Sequence, residues 1–115
     1  MDPRLTLKKN YEFRRLYNKG KSAVTPYMVV YCMRNGSDER RVGYTVSTKL
    51  GKAVTRNKVR RRLREIYRLS SPRLIDGIDM VIVARARCVD ADYSKMESAF
   101  LRACGELKLL REEKE

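Results

Sequence analysis

Residues 55–64 read TRNKVRRRLR, and six of the nine positions from 56 to 64 are Lys or Arg. Like charges at helical spacing repel by about a few tenths of a kcal/mol per pair, so a fold can carry such a run only on a face it leaves open. Val59, Leu63 and Ile66 recur at the helical repeat. At about 100° per residue they share one side of a helix, while Asn57, Arg60, Arg61, Arg64 and Arg68 gather on the other. The spacing predicts an amphipathic helix over 54–69 that lies on a core, with its apolar stripe inward and its cations outward. Cations at 56, 58, 60, 61, 62, 64 and 68 stand against the single anion Glu65. A solvated basic face is the ordinary reading of a charged helix, but an imbalance of this size asks for neutralisation from outside the chain. Arg predominates, and a planar guanidinium holds a phosphate through two parallel bonds while stacking on bases. An RNA or DNA backbone fits best.

The whole chain shares the bias. Lys and Arg number 27 against 14 Asp and Glu, a formal charge of +13 on 115 residues, which points to a polyanion as partner. Hydrophobic residues make up 43% and fall in ordered runs, unlike those of a disordered basic tail. The length suits one domain with one core, taken as residues 1–115. No run reaches the roughly 18 apolar residues of a membrane span, and the start MDPRLTLKKN lacks the apolar block of a signal peptide. A cytoplasmic protein without a membrane partner is expected. The chain has no histidine, which excludes imidazole general bases, Ser-His and Cys-His nucleophile pairs and Cys/His zinc sites. Cys32, Cys88 and Cys104 are far apart and sit inside apolar or periodic segments, so buried, reduced thiols are expected.

Asn10 is placed to cap a helix over YEFRRLYNK, with Phe13, Leu16 and Tyr17 on one side and Gly20 at its end. PYMVVYCMR (26–34) and RRVGYTVST (40–48) alternate with strand period and are joined by NGSDE, which predicts a β-hairpin. SAVT before Pro26 reads as a short strand or as plain loop. Gly77 and Asp79 mark a turn, and DMVIVARAR (79–87) is the third clear strand. Ser94 and Glu97 form a capping box for a long helix in which Met96, Phe100, Ala103, Leu107 and Leu110 recur. The fold class expected is α+β: a two-layer sandwich of a mixed four-stranded sheet, three clear strands and a short one, packed with three helices. A strand–helix–strand unit ordinarily crosses over right-handed.

Alternation sets Tyr27, Val29 and Tyr31 on one side of the first strand, and Gly43, Thr45 and Ser47 on one side of the second. Tyrosines beside an aromatic helix stripe ordinarily pack in a core. Next to Lys49, Lys52 and the arginine face, the same groups suit single-stranded nucleic acid, where stacking is worth about 1–3 kcal/mol per base. Gly51 and Lys52 do not form a nucleotide-binding loop, because Gly43 stands too far upstream and Ala53 follows where a hydroxyl is required. Asp76, Asp79, Asp90 and Asp92 are explained by turn and cap duties, and no metal site or catalytic side chain is assigned.

The block RVGYTVSTKLGKAVTRNKVRRRLREIYR (41–68), preceded by LKKNYEFRRLYNKGK (7–21) and followed by DMVIVARAR, closely resembles the protein subunit of bacterial ribonuclease P. The resemblance spans nearly the whole chain. It implies a small α/β sandwich whose basic helix lies in an unusual left-handed crossover. It also implies a ribonucleoprotein endonuclease that removes the 5′ leader from precursor tRNA, in which a large RNA carries the chemistry and protein side chains none. Mg²⁺ would be required by the holoenzyme and held mainly by RNA, with no small-molecule substrate. By motif position, Arg56, Asn57, Arg60, Arg61, Arg64 and Arg68 would face the RNA subunit, with Lys58 and Arg62 beside them. Phe13, Tyr17 and Tyr31 would line a central cleft for the single-stranded leader, with Thr45, Ser47, Lys49, Lys52 and Val83 nearby. Tyr17 and Thr48 stand where many relatives have a Phe and a Lys, which keeps the stacking and removes a charge. The competing reading is a structural, ribosomal-type RNA-binding protein, which shares the arginine helix but needs no aromatic cleft. A nuclease in its own right would need clustered carboxylates for Mg²⁺, and the sequence supplies no convincing cluster.

Overall fold

The computed structural model describes residues 5–112, so the outermost positions of the expected domain lie outside the described residues. In chain order the elements are α1 (Asn10–Lys19), β1 (Lys21–Val24), β2 (Met28–Arg34), β3 (Arg41–Thr45), α2 (Ala53–Ser70), β4 (Ile78–Ala84) and α3 (Tyr93–Glu106). The sheet runs β1-β2-β4-β3. Its first three strands are antiparallel neighbours, and β3 runs parallel to β4.

This order corrects the hairpin expected between 26–34 and 40–48. β4 lies between β2 and β3, because almost every residue of β4 is buried on one face or the other and such a strand belongs at the centre of a sheet. The hairpin that does form joins β1 to β2, so SAVT contributes a strand, with Ala23 opposite Val30. Its turn is built by Thr25, whose hydroxyl donates to the Met28 carbonyl (2.8 Å) and accepts from the N–H groups of Tyr27 (3.2 Å) and Met28 (3.0 Å).

One sheet face presents Met28, Val30, Cys32, Val42, Met80, Ile82 and Ala84 to α2 and α3, which insert Val59, Leu63 and Ile66 and Met96, Phe100 and Ala103. Burying one side chain of this size is worth about 1.5–3 kcal/mol, so this layer holds the domain together. The α+β arrangement of three helices on a mixed four-stranded sheet is as expected, but the helices lie on both faces of the sheet and not in a single second layer. On the opposite face, α1 sets Leu16 against Val81 and Leu7, flanked by Phe13, Tyr31, Met33 and Val83. A single short helix covers only part of that face, and the remainder is the floor of a cleft.

The helix ends differ from expectation. Asn10 is the first helical residue of α1, and the Glu12 carboxylate accepts from the N–H groups of Lys8 (3.3 Å) and Lys9 (3.0 Å) in place of a side-chain cap. Gly20 ends α1 at an ordinary φ of −77°. It is required by close approach, since a Cβ there would meet the Leu16 carbonyl oxygen at 2.6 Å and that of Cys32 at 2.8 Å. α3 starts behind Asp92, which makes no side-chain cap, so Ser94 lies inside the helix and the expected capping box does not form. α3 stops at Glu106. Lys108 adopts φ 59°, its N–H bonds to Gly105 (3.1 Å), and that of Leu109 bonds to Cys104 (2.9 Å), a Schellman ending. Leu107 and Leu110 are therefore past the helix, and Leu110 bridges to Leu74.

Asp79 is buried in β4 and accepts from Arg41 (2.9 and 2.6 Å) and Asn35 (3.0 Å), rather than shaping a turn. Arg40, whose side chain is 9% exposed, bonds the Tyr67 hydroxyl (2.8 Å), the carbonyls of Ser71 (3.1 Å), Leu74 (3.1 Å) and Ile75 (2.9 Å), and Asp76 (3.1 Å). It locks the end of α2 to the segment that leads into β4. The three cysteines are free and buried, and burial pushes the Cys88 thiol up to about 11 and that of Cys104 up to about 12.

Candidate nucleic-acid interface

The outer face of α2 is cationic along its length, and its arginines are not equivalent. Arg61 and Arg64 are exposed, and Arg64 lies over the Tyr44 ring at 5.9 Å. Arg68 is exposed but bound to Glu65 (2.7 Å). Arg56 is half-buried and ties back to the Gly51 carbonyl (3.2 Å), and Arg60 donates to the exposed Asn57 (3.2 Å). Lys58 is exposed, whereas Arg62 is committed to the Ala91 carbonyl (3.1 Å) at the approach to α3. Local helical periodicity thus delivers the face as expected, with Arg61 and Arg64 its least encumbered arginines.

On the other sheet face, Phe13 of α1 lies directly on Gly43 of β3, where an added Cβ would come within 2.6 Å of the ring. Tyr17, one turn on, meets Tyr31 of β2 edge to face, with centroids 5.0 Å apart and planes at 68°. Its hydroxyl bonds Thr45 across 2.6 Å. Beside them Val29, Val83 and Thr45 are cross-strand neighbours in one row, partly exposed beyond the helix. Phe13, Tyr17, Tyr31, Thr45 and Val83 are therefore brought together.

Ser47, Lys49 and Lys52 occupy the loop between β3 and α2. The Ser47 hydroxyl accepts from the Lys49 N–H (3.2 Å) and caps a 3₁₀ turn over Thr48–Leu50, while Lys52 is the N-cap residue of α2. Both lysine side chains are exposed. Between cleft and arginine helix lies a cavity of about 460 Å³ lined by Phe13, Tyr17 and Thr45 together with Asn10, Arg14, Tyr44, Val46 and Arg60. Asn10, Arg14 and Tyr44 were not expected at the site, and Arg60 borders the cleft as well as the arginine face. Burial pushes the Tyr44 phenol up, against the pull of Arg64.

Compared with known proteins, residues 1–108 match the profile of the family described as Ribonuclease P. The chain belongs to the ribonuclease P protein family. It is 44% identical over 107 residues to the ribonuclease P protein component of Natranaerobius thermophilus, covering 93% of each chain. With that of Clostridioides difficile it shares 44% over 94 residues, 81% of this chain and 82% of the relative. The ribonuclease P protein of Staphylococcus aureus superposes with a TM-score of 0.84 at 31% identity, over 93% of this chain and 98% of that one. The Thermotoga maritima protein gives 0.77 at 32%, over 84% and 92%. The ribonuclease P protein is a subunit of an endoribonuclease that processes tRNA, with an RNA partner and a tRNA substrate, and the purely structural RNA-binder is not favoured. Among the described residues no helix is long and apolar enough to cross a membrane, and no group of three or more Cys, Asp or Glu side chains could hold a metal ion.

Proposed function

We propose that this ribonuclease P protein divides its surface between two RNAs. The face of α2 with Arg56, Asn57, Arg60, Arg61, Arg64 and Arg68 grips the phosphates of the catalytic RNA. The cleft of Phe13, Tyr17, Tyr31, Thr45 and Val83, with Ser47, Lys49 and Lys52 at its approach, holds the single-stranded leader of precursor tRNA. The observation that carries this reading is the contrast within α1: Leu16 is 1% exposed, while the adjacent Tyr17 is 40% exposed and still packed edge to face on a second tyrosine. An aromatic that served only the core would be covered. A ring held upright at the rim of a positively charged protein is a stacking surface for a base.

The chemistry belongs to the RNA, and the protein binds, orients and screens. Mg²⁺ serves the holoenzyme from sites on RNA, since the carboxylates best placed to attract a cation are spent on arginines, Asp79 on Arg41 and Asp76 on Arg40 and Arg111. The holoenzyme works in the cytoplasm. In the decisive experiment, Phe13→Ala weakens binding of precursor tRNA by about 1–3 kcal/mol and leaves mature tRNA, which has no leader, nearly unchanged. Equal weakening of both by a variant with a normal thermal midpoint overturns the cleft assignment.

A further inference from the structure

The sheet has two edges, β1 and β3. That of β3 is partly closed by Leu7, whose N–H donates to the Val42 carbonyl (2.9 Å). That of β1 is open. The Thr25 N–H donates to the Met28 carbonyl (2.9 Å), so Thr25 turns its main chain toward β2 and, two residues back, so does Ala23 opposite Val30. Ser22 and Val24 therefore turn their N–H and C=O groups outward, and among the described residues no backbone bond from another segment meets them. Two cavities of about 580 and 390 Å³ lie beside this edge and share Val24, Thr25 and Pro26. Arg87 lines the first, and Lys95 and Arg102 of α3 line the second. All three are exposed, and among the described residues none spends its side chain on a hydrogen bond or an ion pair. The only carboxylate lining either cavity among the described residues is Glu106. Val24 is 64% exposed, an apolar residue common to both cavities on a basic surface.

We propose that the β1 edge and the groove beside α3 dock an acidic, extended segment of a partner protein, which adds a fifth strand to the sheet. The edge presents donors and acceptors in alternation, the pattern that another strand about 4.8 Å away satisfies in full. A phosphodiester backbone offers acceptors alone, so it meets the N–H groups of Ser22 and Val24 and leaves their carbonyls unpaired. A second copy of this chain sets +13 against +13 and brings Lys21 to a cationic edge, the usual protection of an exposed strand against its own kind. Against an acidic strand the same charge attracts. Main-chain pairing supplies the affinity of such an addition, and alternate side chains supply its selectivity: carboxylates toward Arg87, Lys95 and Arg102, and an apolar residue against Val24. The surface includes no residue of the arginine face of α2 or of the aromatic cleft, so it is compatible with occupation of both.

The test uses the assembled holoenzyme and a short fluorescent peptide in which Glu and Val alternate. The comparison probes are the same peptide N-methylated at every amide, a peptide with Lys in place of Glu, and oligouridine. Anisotropy is expected to show the acidic peptide bound about tenfold more tightly than either altered peptide, and amide exchange in residues 21–24 is expected to slow when it binds. Ser22→Pro removes an outward N–H without breaking a β1–β2 bond and weakens the peptide by about threefold or more. Arg102→Glu, on the exposed side of α3, weakens it by about tenfold. Both variants cleave precursor tRNA at the wild-type rate. Ser22→Pro is scored only with a normal thermal midpoint, and if it does not fold, Arg102→Glu and the exchange measurement decide. Equal binding of the acidic and methylated peptides overturns the proposal, as does unchanged exchange in 21–24 or wild-type affinity in Arg102→Glu. Oligouridine that slows exchange in 21–24 as strongly as the peptide assigns the edge to nucleic acid instead. Self-association of the free protein that Ser22→Pro abolishes assigns it to a second copy, and either result overturns the acidic partner.

Discussion

The Tyr17 and Thr45 hydroxyl oxygens lie 2.6 Å apart, joining the last turn of α1 to the end of β3 across the rim of the cleft. The bond sits at the surface, where a net hydrogen bond is worth about 1 kcal/mol or less, whereas the ring contact with Tyr31 holds the tyrosine upright. Tyr17→Phe keeps the ring and is expected to leave precursor tRNA affinity within about twofold of wild type. Tyr17→Ala removes the stacking face and costs about 1–3 kcal/mol. Equilibrium binding of precursor and mature tRNA to holoenzymes carrying each variant separates the two contributions, and equal losses would mean the hydroxyl matters more than the ring.

The arginines of α2 should differ in how they shape the salt dependence of assembly with the catalytic RNA. Arg61 is exposed and carries no ion pair among the described residues, so Arg61→Ala flattens the plot of log K against log salt by about one unit. Arg68 is already paired with Glu65, and both side chains are largely exposed. Arg68→Ala therefore changes the slope less than Arg61→Ala, and Glu65→Gln, which frees Arg68, steepens it. Titrating assembly across salt concentrations checks the order. Identical slopes for Arg61→Ala and wild type would mean that this side of α2 meets no phosphate.

The basic helix was legible because both of its signals are local: apolar residues and cations follow the same helical repeat over eighteen residues. Strand pairing was not. NGSDE does turn the chain, yet turn chemistry says nothing about which strand the chain joins next, and the continuous apolar run of β4 was the stronger clue, since a strand buried on both faces belongs in the middle. The β1–β2 turn escaped notice because Thr25 closes it with its side chain instead of the usual Gly or Asn. At the site, matching motif positions located the cleft aromatics and the arginine face. The approach of Arg60 and Tyr44 to the cleft depends on which edge of β3 is open, and that is a property of the assembled sheet.

Arg40 uses all three nitrogens of its guanidinium on half-buried groups of α2 and the segment after it, and it lies over the Tyr67 ring at 5.5 Å. Arg40→Met keeps the apolar stem but strands the Tyr67 hydroxyl and the Ile75 carbonyl, while the Leu74 carbonyl keeps Arg111 (2.9 Å) and that of Ser71 keeps the Leu74 N–H (3.1 Å). The expected loss is about 3 kcal/mol of folding stability, since unpaired buried partners cost more than the bond itself was worth. Denaturant unfolding of the free protein measures it. The variant should keep its thermal transition cooperative, because the apolar layer between the sheet and α2 and α3 is untouched.

Alkaline pH should expose the buried thiols. Burial raises the Cys88 thiol from 9.0 to about 11 and the Cys104 thiol from 9.0 to about 12, the latter also beside Cys32. A thiol is neutral when protonated, so above pH 9 the unfolded chain releases these protons while the native state keeps them. The native state then binds more protons, and stability falls as pH rises. The contribution is complete below pH 9 and is lost progressively until the pH passes the folded values near 11 and 12. Urea midpoints of the wild-type protein should therefore decline through this window. Other groups, Tyr44 and Tyr67 among them, are also raised by burial and pull the same way, so the wild-type curve alone does not isolate the thiols. The comparison that does is the double variant Cys88→Ala, Cys104→Ala, which starts less stable at neutral pH but should show a shallower decline above pH 9. A parallel check is kinetic: at pH 8 a thiol reagent should label the native protein only as fast as it opens, and labelling at the rate of a free thiol would mean that the cysteines are not enclosed as the packing of α3 on β2 requires.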